Sequence, residues 1–183
     1  MTSHFKTILF GLFYLALIAP SHVYATVARK PAAPAKISIP AIRVSSAVEG
    51  IGMTNTKVLR QPSARDSVSW FNRGTAPGNI GSAVLYGHVS GQHFEPAVFA
   101  KLDKLKKNDQ IIITDVHGAA FTYRVTSLKY YSTDVLTYDF LSQPSRTAVL
   151  NLFTCAGTWD KKARHYTKYL VVSGELVVMQ TSK

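Results

Sequence analysis

Short runs of β-branched and aromatic residues, separated by turn residues, recur along this chain from residue 37 to residue 179. Runs of that length and composition suit strands and are too short to hold an isolated helix. The first is Ile37-Ser38-Ile39-Pro40-Ala41-Ile42-Arg43-Val44, with alternating apolar side chains. The others are Ser67–Phe71, Ser82–Gly87 (entered through a Pro77-Gly78-Asn79 turn), Gln110–Asp115, Ala120–Val125, Ala148–Cys155 and Tyr169–Met179. Val116-His117-Gly118 joins two of them as a hairpin turn. Pro40 and Pro62 mark edge strands or strand ends, because proline cannot donate to a ladder. Helical periodicity is confined to Pro96–Leu105, where Val98, Phe99, Leu102 and Leu105 share a face, and to a short helix or turn at Val135–Leu141. About eight short strands with one or two short helices predict a mostly β fold, an eight-stranded barrel, since closure removes exposed edges.

Composition describes the surroundings more than the chemistry. A hydrophobic fraction of 46% and only 17% charged residues give an ordinary core and exclude wholesale disorder. The length of 183 residues accommodates one domain and a targeting segment. The net charge of +11 is scattered, with no motif to organise it, so nucleic acid is not an expected partner. An anionic cell envelope suits such a surface equally well. His4 and Lys6 precede the apolar stretch Ile8–Ala19, Pro20 ends it, and Val23-Tyr24-Ala25 follows as a cleavage site. Residues 1–25 are therefore expected to be a signal peptide or an uncleaved N-terminal membrane anchor. Residues 26–36, rich in Ala, Pro and basic side chains, read as a tether, and residues 37–183 as the folded domain. The domain is expected outside the cytoplasm, in the cell envelope, membrane-anchored or secreted.

Cys155 is the single cysteine of the chain. In an exported protein an unpaired thiol is either a small buried hydrophobe or a reactive group. It follows the apolar run Val149–Thr154, and Ala156-Gly157-Thr158 after it reads as a turn. His88 ends another run, flanked by Gly87 and by Ser90-Gly91. On its own it could be a loop histidine without a task; beside Cys155 it would complete a thiol–imidazole pair for acyl transfer. His93, His117 and His165 fall in loops or turns, and none has a zinc-like spacing to Cys155, so neither a metal nor another cofactor is expected.

From Lys36 to Val178 the chain resembles the sortases, the cysteine transpeptidases of bacterial cell surfaces. The resemblance is carried by Ile37-Ser38-Ile39-Pro40-Ala41-Ile42, Tyr86-Gly87-His88-Val89, Pro96-Ala97-Val98-Phe99 with Leu102 and Leu105, and Leu150-Asn151-Leu152-Phe153-Thr154-Cys155. The Pro96–Phe99 stretch and Cys155–Asp160 are most similar to the class E and F branches. This resemblance implies an eight-stranded barrel with a Cys, His and Arg at strand ends, the nucleophile being Cys155 and the acid–base group His88. Thr154 would line the site. The arginine that opens the last-strand motif in many sortases has no direct match, since Tyr169 precedes Leu170-Val171-Val172. Arg164 is the first candidate for its role because guanidinium presents a fork of donors, Lys168 is the second, and the Tyr169 hydroxyl is the third. Thr154, Lys168 and Tyr169 are the expected substrate-binding residues.

The implied reaction is cleavage of an LPxTG-like sorting signal through a thioacyl enzyme. An amine acceptor, a peptidoglycan precursor or a pilin lysine, would then take the acyl group. Two rivals remain at this level: a thiol peptidase that only hydrolyses, and a non-catalytic basic barrel that binds anionic envelope polymer.

Overall fold

The computed structural model describes residues 31–52, 60, 62–133 and 143–180. Its strands are β1 (Pro34–Ile39), β2 (Val44–Ile51), β3 (Val68–Phe71), β4 (Gly81–Gly87), β5 (Gln110–Asp115), β6 (Ala120–Ser132), β7 (Ala148–Asp160) and β8 (His165–Gln180). They close into a barrel in the order β1-β2-β3-β4-β7-β8-β6-β5. The pairs β2–β3 and β4–β7 are parallel and the remaining pairs antiparallel. The expected mostly β barrel is therefore present; the strand-like runs fall on its strands, except that the run over residues 37–44 leaves β1 at Ile39 through a 3-10 turn at Pro40–Ile42 and enters β2 at Val44.

The barrel is closed by alternation. Ile37, Ile39, Leu85, Ile111, Ile113, Phe121, Tyr123, Leu150, Leu152, Leu170 and Val172 are buried in one core cluster. Residues one step along several of these strands face the other way, and Phe71, Val84, Tyr86, Phe153 and Val171 form a second cluster. Period-two alternation separates the two sets onto opposite faces of the same sheet. This second cluster, on the outer face, leads to the site.

Three boundaries differ from the sequence reading. β1 begins at Pro34, three residues inside the expected tether, because Pro34–Ser38 pair with β5. The Pro96–Leu105 segment is not a continuous helix. It consists of turns that end in a 3-10 helix at Leu102–Lys104, with hydrogen bonds from Ala100 to Ala97, Leu102 to Phe99, Lys104 to Lys101 and Leu105 to Leu102. Phe99, Leu102 and Leu105, each three residues apart, are buried in the core, as the period of a 3-10 turn requires. Finally, β7 does not stop at Cys155. It runs on to Asp160 across a register shift between Ala156 and Trp159, where Gly157 adopts φ 80°. A bulge of this kind needs a residue tolerant of the left-handed region, so Ala156-Gly157-Thr158 has turn composition without ending the strand.

The β5–β6 hairpin forms as expected, with the Asp115 carboxylate accepting the N–H groups of His117 and Ala119, both at 2.9 Å. The helix or turn expected at Val135–Leu141 and the apolar segment Ile8–Ala19 lie outside the described residues. Among the described residues no helix is long and apolar enough to cross a membrane.

Candidate active site

Cys155 belongs to the outward set of β7, two residues beyond Phe153 and on the same face. On one side its ladder partner is Tyr169 of β8. On the other side β4 runs parallel to β7, with Tyr86 beside Phe153 as the last paired rung. His88 follows two residues beyond that rung, just past the end of β4, and lines the same groove as Cys155. Cys155 and Tyr169 occupy one rung of β7 and β8, and His88 joins them in the groove from the loop that follows β4. Tyr86, Phe153 and Val171 occupy the rung below, with the Tyr86 ring stacked on Phe153 at 4.5 Å.

The backbone that carries His88 is fixed from two directions. The Thr154 hydroxyl donates to the Gly87 carbonyl at 2.7 Å, and the Phe99 N–H donates to the His88 carbonyl at 2.9 Å. Thr154 is 1% exposed and faces the barrel interior, opposite to Cys155. Through its hydroxyl it ties the histidine-bearing turn to the cysteine-bearing strand.

A groove of about 760 Å³ runs over the outer rung, lined by His88, Cys155, Arg164 and Tyr169 among others. Arg164 sits in the β7–β8 turn at φ 56°. That turn is fastened by Asp160, whose carboxylate accepts the N–H groups of Lys162 (2.8 Å) and Ala163 (2.9 Å) and whose carbonyl accepts that of Arg164 (2.8 Å). Arg65, also in the groove wall, is paired with Glu95 at 3.5 Å, whereas Arg164 has no ion pair with a described residue. Lys168 is placed differently. It pairs with Ala156 and falls on the opposite face from Tyr169, exposed and outside the groove lining. The groove thus brings together four of the six expected residues; Thr154 adjoins Cys155 in a second, smaller pocket, and Lys168 lies outside the groove lining.

Burial sets the electrostatics. It pushes the Cys155 thiol above its ordinary value, with a hydrogen bond from the Tyr86 hydroxyl acting in the opposite direction. Burial likewise holds the His88 imidazole below its ordinary value. Both shifts favour uncharged forms, so the resting pair at neutral pH is thiol and imidazole. Tyr169 is raised by burial and, secondarily, by the charge that Cys155 would carry. Such a pair can move one proton from sulfur to nitrogen as the sulfur attacks a carbonyl.

A model of the sortase domain matches residues 37–177. The chain belongs to the sortase family. A sequence search of curated proteins finds no match. Among solved structures, sortase A of Listeria monocytogenes matches at a TM-score of 0.61 and 23% identity, over 84% of this chain and 92% of that one. A Clostridium perfringens sortase D5 transpeptidase matches at 0.59 and 22%, over 80% and 79%. Sortase C of Streptococcus pneumoniae matches at 0.61 and 16%, over 82% and 71%. At these identities the likeness is one of fold. Family membership makes the chain a sortase-type transpeptidase in general terms.

Several groove residues of this sortase escape a reading of the sequence alone. Phe94, 57% exposed at φ 62°, meets Trp159 edge-on at 5.6 Å. Trp159 meets Tyr166 at 5.2 Å, and the Tyr166 hydroxyl is 2.8 Å from Ser90 Oγ. These contacts join the loop after His88 to the β7–β8 hairpin across one end of the groove. Tyr86 belongs to the Tyr86–Val89 motif, yet the motif alone gives it no role. A signal for it exists in strand alternation, since it precedes His88 by two residues and so shares its face.

Proposed function

We propose that the groove is the site of a two-step acyl transfer on an LPxTG-like sorting signal. Cys155 attacks the carbonyl carbon of the amide that follows Thr, forming the C–S bond while its proton passes to His88. The tetrahedral oxyanion is met by the Arg164 guanidinium. The intermediate collapses with cleavage of the C–N bond, and His88 returns its proton to the leaving amine. An acceptor amine then attacks the thioester, gives a proton to His88 and releases the thiol, which recovers that proton.

The observation that carries this reading is the single groove lined by His88, Cys155 and Arg164. An open groove suits an extended peptide better than a compact small molecule. Tyr169, beside the thiol, contacts the substrate. The acceptor is a peptidoglycan precursor or a pilin lysine; pilin substrate specificity is a property of the pneumococcal sortase C that shares this fold. The subclass reading, E or F, rests on the Pro96–Phe99 and Cys155–Asp160 stretches. Residues 1–25 serve as signal peptide or membrane anchor, with a tether that reaches the barrel at Pro34.

Incubation with an LPxTG peptide and a glycine peptide or hydroxylamine tests the reading. Transfer gives a product that carries the amine; a carboxylic acid alone, at every amine concentration, makes the protein a thiol peptidase. No acyl-enzyme with any LPxTG variant would remove the sorting-signal assignment. The cation is tested separately. Arg164→Gln is expected to lower kcat/KM by roughly 100-fold, as for loss of one oxyanion donor. Lys168→Gln should stay within about twofold of the parent, since a solvated cation outside the groove contributes little. Equal losses in both variants would exclude Arg164 as the specific donor.

A further inference from the structure

We propose that Tyr86 is a further catalytic group of this site, beside Cys155, His88 and Arg164, donating its hydroxyl to the Cys155 sulfur when the sulfur is nucleophile and again when it is leaving group. The inference rests on the acyl-transfer reading of the groove and adds a residue to it.

Tyr86 is the last outward-facing residue of β4 before His88, and its ladder partner Phe153 is the last outward-facing residue of β7 before Cys155. The tyrosine is therefore diagonal to the cysteine on adjacent strands, a separation that a phenol spans. Its ring has little freedom. One face is stacked on Phe153 at 4.5 Å with 27° between planes, the His88 ring lies edge-on at 5.8 Å and 63°, and the residue is 6% exposed. From this held ring the hydroxyl makes its hydrogen bond to the cysteine side chain. One side chain thus touches both members of the proton-transfer pair.

The chemistry of the site calls for such a donor. The floor beneath Cys155 is aromatic, formed by Phe153, Tyr86 and Tyr169, and disfavours a thiolate. No described carboxylate is hydrogen-bonded to His88 to stabilise an imidazolium. A neutral phenol supplies a hydrogen bond to the sulfur anion without adding a charge that must itself be desolvated. In the first step negative charge leaves sulfur for the carbonyl oxygen as the C–S bond forms. In the second, the C–S bond breaks and its electron pair returns to sulfur, where the same hydroxyl meets it.

The test needs no peptide. Tyr86→Phe keeps the ring and its stacking and removes only the donor. Alkylation of Cys155 by iodoacetamide is followed against pH, and the midpoint is expected to rise by about one unit, as for loss of a modest hydrogen bond to an anion. A more basic thiolate is also a better nucleophile, with a Brønsted slope of about 0.4–0.5, so two opposite changes follow. The alkaline plateau should rise about threefold while the rate at neutral pH falls about three- to fourfold. A merely structural loss would not raise the plateau. Site-specific 3-fluorotyrosine at position 86, a stronger donor of nearly the same shape, should move the midpoint down; it decides the matter if the phenylalanine variant does not fold. An unchanged midpoint in either folded protein overturns the proposal. Because alkylation is read without a sorting signal, failure of the LPxTG assignment would leave this result interpretable.

Discussion

Replacing Cys155 with alanine should abolish acyl-enzyme formation and turnover while leaving the barrel folded. The side chain points outward from β7 into the groove, so the change removes one sulfur from a half-buried surface position and opens no internal cavity. Stability should change by less than about 1 kcal/mol. Activity should fall by on the order of 10⁴ to 10⁶, the range seen when a nucleophile is removed from a unit that acts together. Mass spectrometry of the protein mixed with sorting-signal peptide reads the adduct directly. Persistent turnover with a native melting curve would exclude Cys155 as nucleophile. In the parent protein the reactive state carries one proton shared between sulfur and imidazole. It is lost below the His88 pKa, which burial lowers, and above the Cys155 pKa, which burial raises. The kcat/KM profile should therefore be a broad bell, its acid limb below the ordinary histidine value and its alkaline limb above the ordinary cysteine value. Two opposed desolvation effects widen it. A bell narrower than that of the free side chains would contradict the burial of the pair.

The barrel is legible in the sequence because most strands announce themselves twice, by β-branched composition and by the turn residues that bound them; β2, Val44-Ser45-Ser46-Ala47-Val48-Glu49-Gly50-Ile51, has too few such residues to stand out. Cys155 and His88 are legible because a lone thiol and a Gly-His step both fall at the ends of such runs. What composition does not convey is parity. Whether Lys168 or Arg164 lines the groove depends on the face that each side chain takes and on the course of the β7–β8 hairpin, which continues past a bulge at Gly157 that reads as a turn in sequence. Strand alternation then takes Lys168 away from Cys155 and keeps Tyr169 beside it. Thr154 illustrates the same point. Its adjacency to the cysteine in sequence guarantees that it faces the opposite side of the sheet, where its hydroxyl bonds to Gly87. In the 96–105 segment the expected buried face is right and the expected helix is not. Phe99, Leu102 and Leu105 are three residues apart, a spacing compatible with both periods over so short a stretch.

Gly87→Ala should damage both stability and catalysis, for one geometric reason. A methyl group at this position would stand 2.6 Å from Cδ2 of Phe99 and 2.7 Å from Cγ1 of Val98. Phe99 is fully buried, with Leu102 and Leu105 packed in the same cluster, so it cannot turn aside cheaply. Overpacking of this kind costs about 1–3 kcal/mol. For a domain of this size that corresponds to a fall in Tm of roughly 2–12 °C. The catalytic loss should exceed what the unfolded fraction explains. Gly87 is the residue whose carbonyl accepts the Thr154 hydroxyl, and the next carbonyl accepts the Phe99 N–H. Relief of the clash by moving β4 or Phe99 must therefore shift His88 relative to Cys155, and a displacement of about 1 Å is enough to cost roughly 100-fold in rate. Activity measured well below the melting transition, beside the Tm, separates the two effects. Adding Phe99→Leu should restore part of both by making room for the methyl group. Parent-like turnover in the single variant would show that His88 is not held through Gly87, and that the two carbonyl bonds do not determine the geometry of the pair.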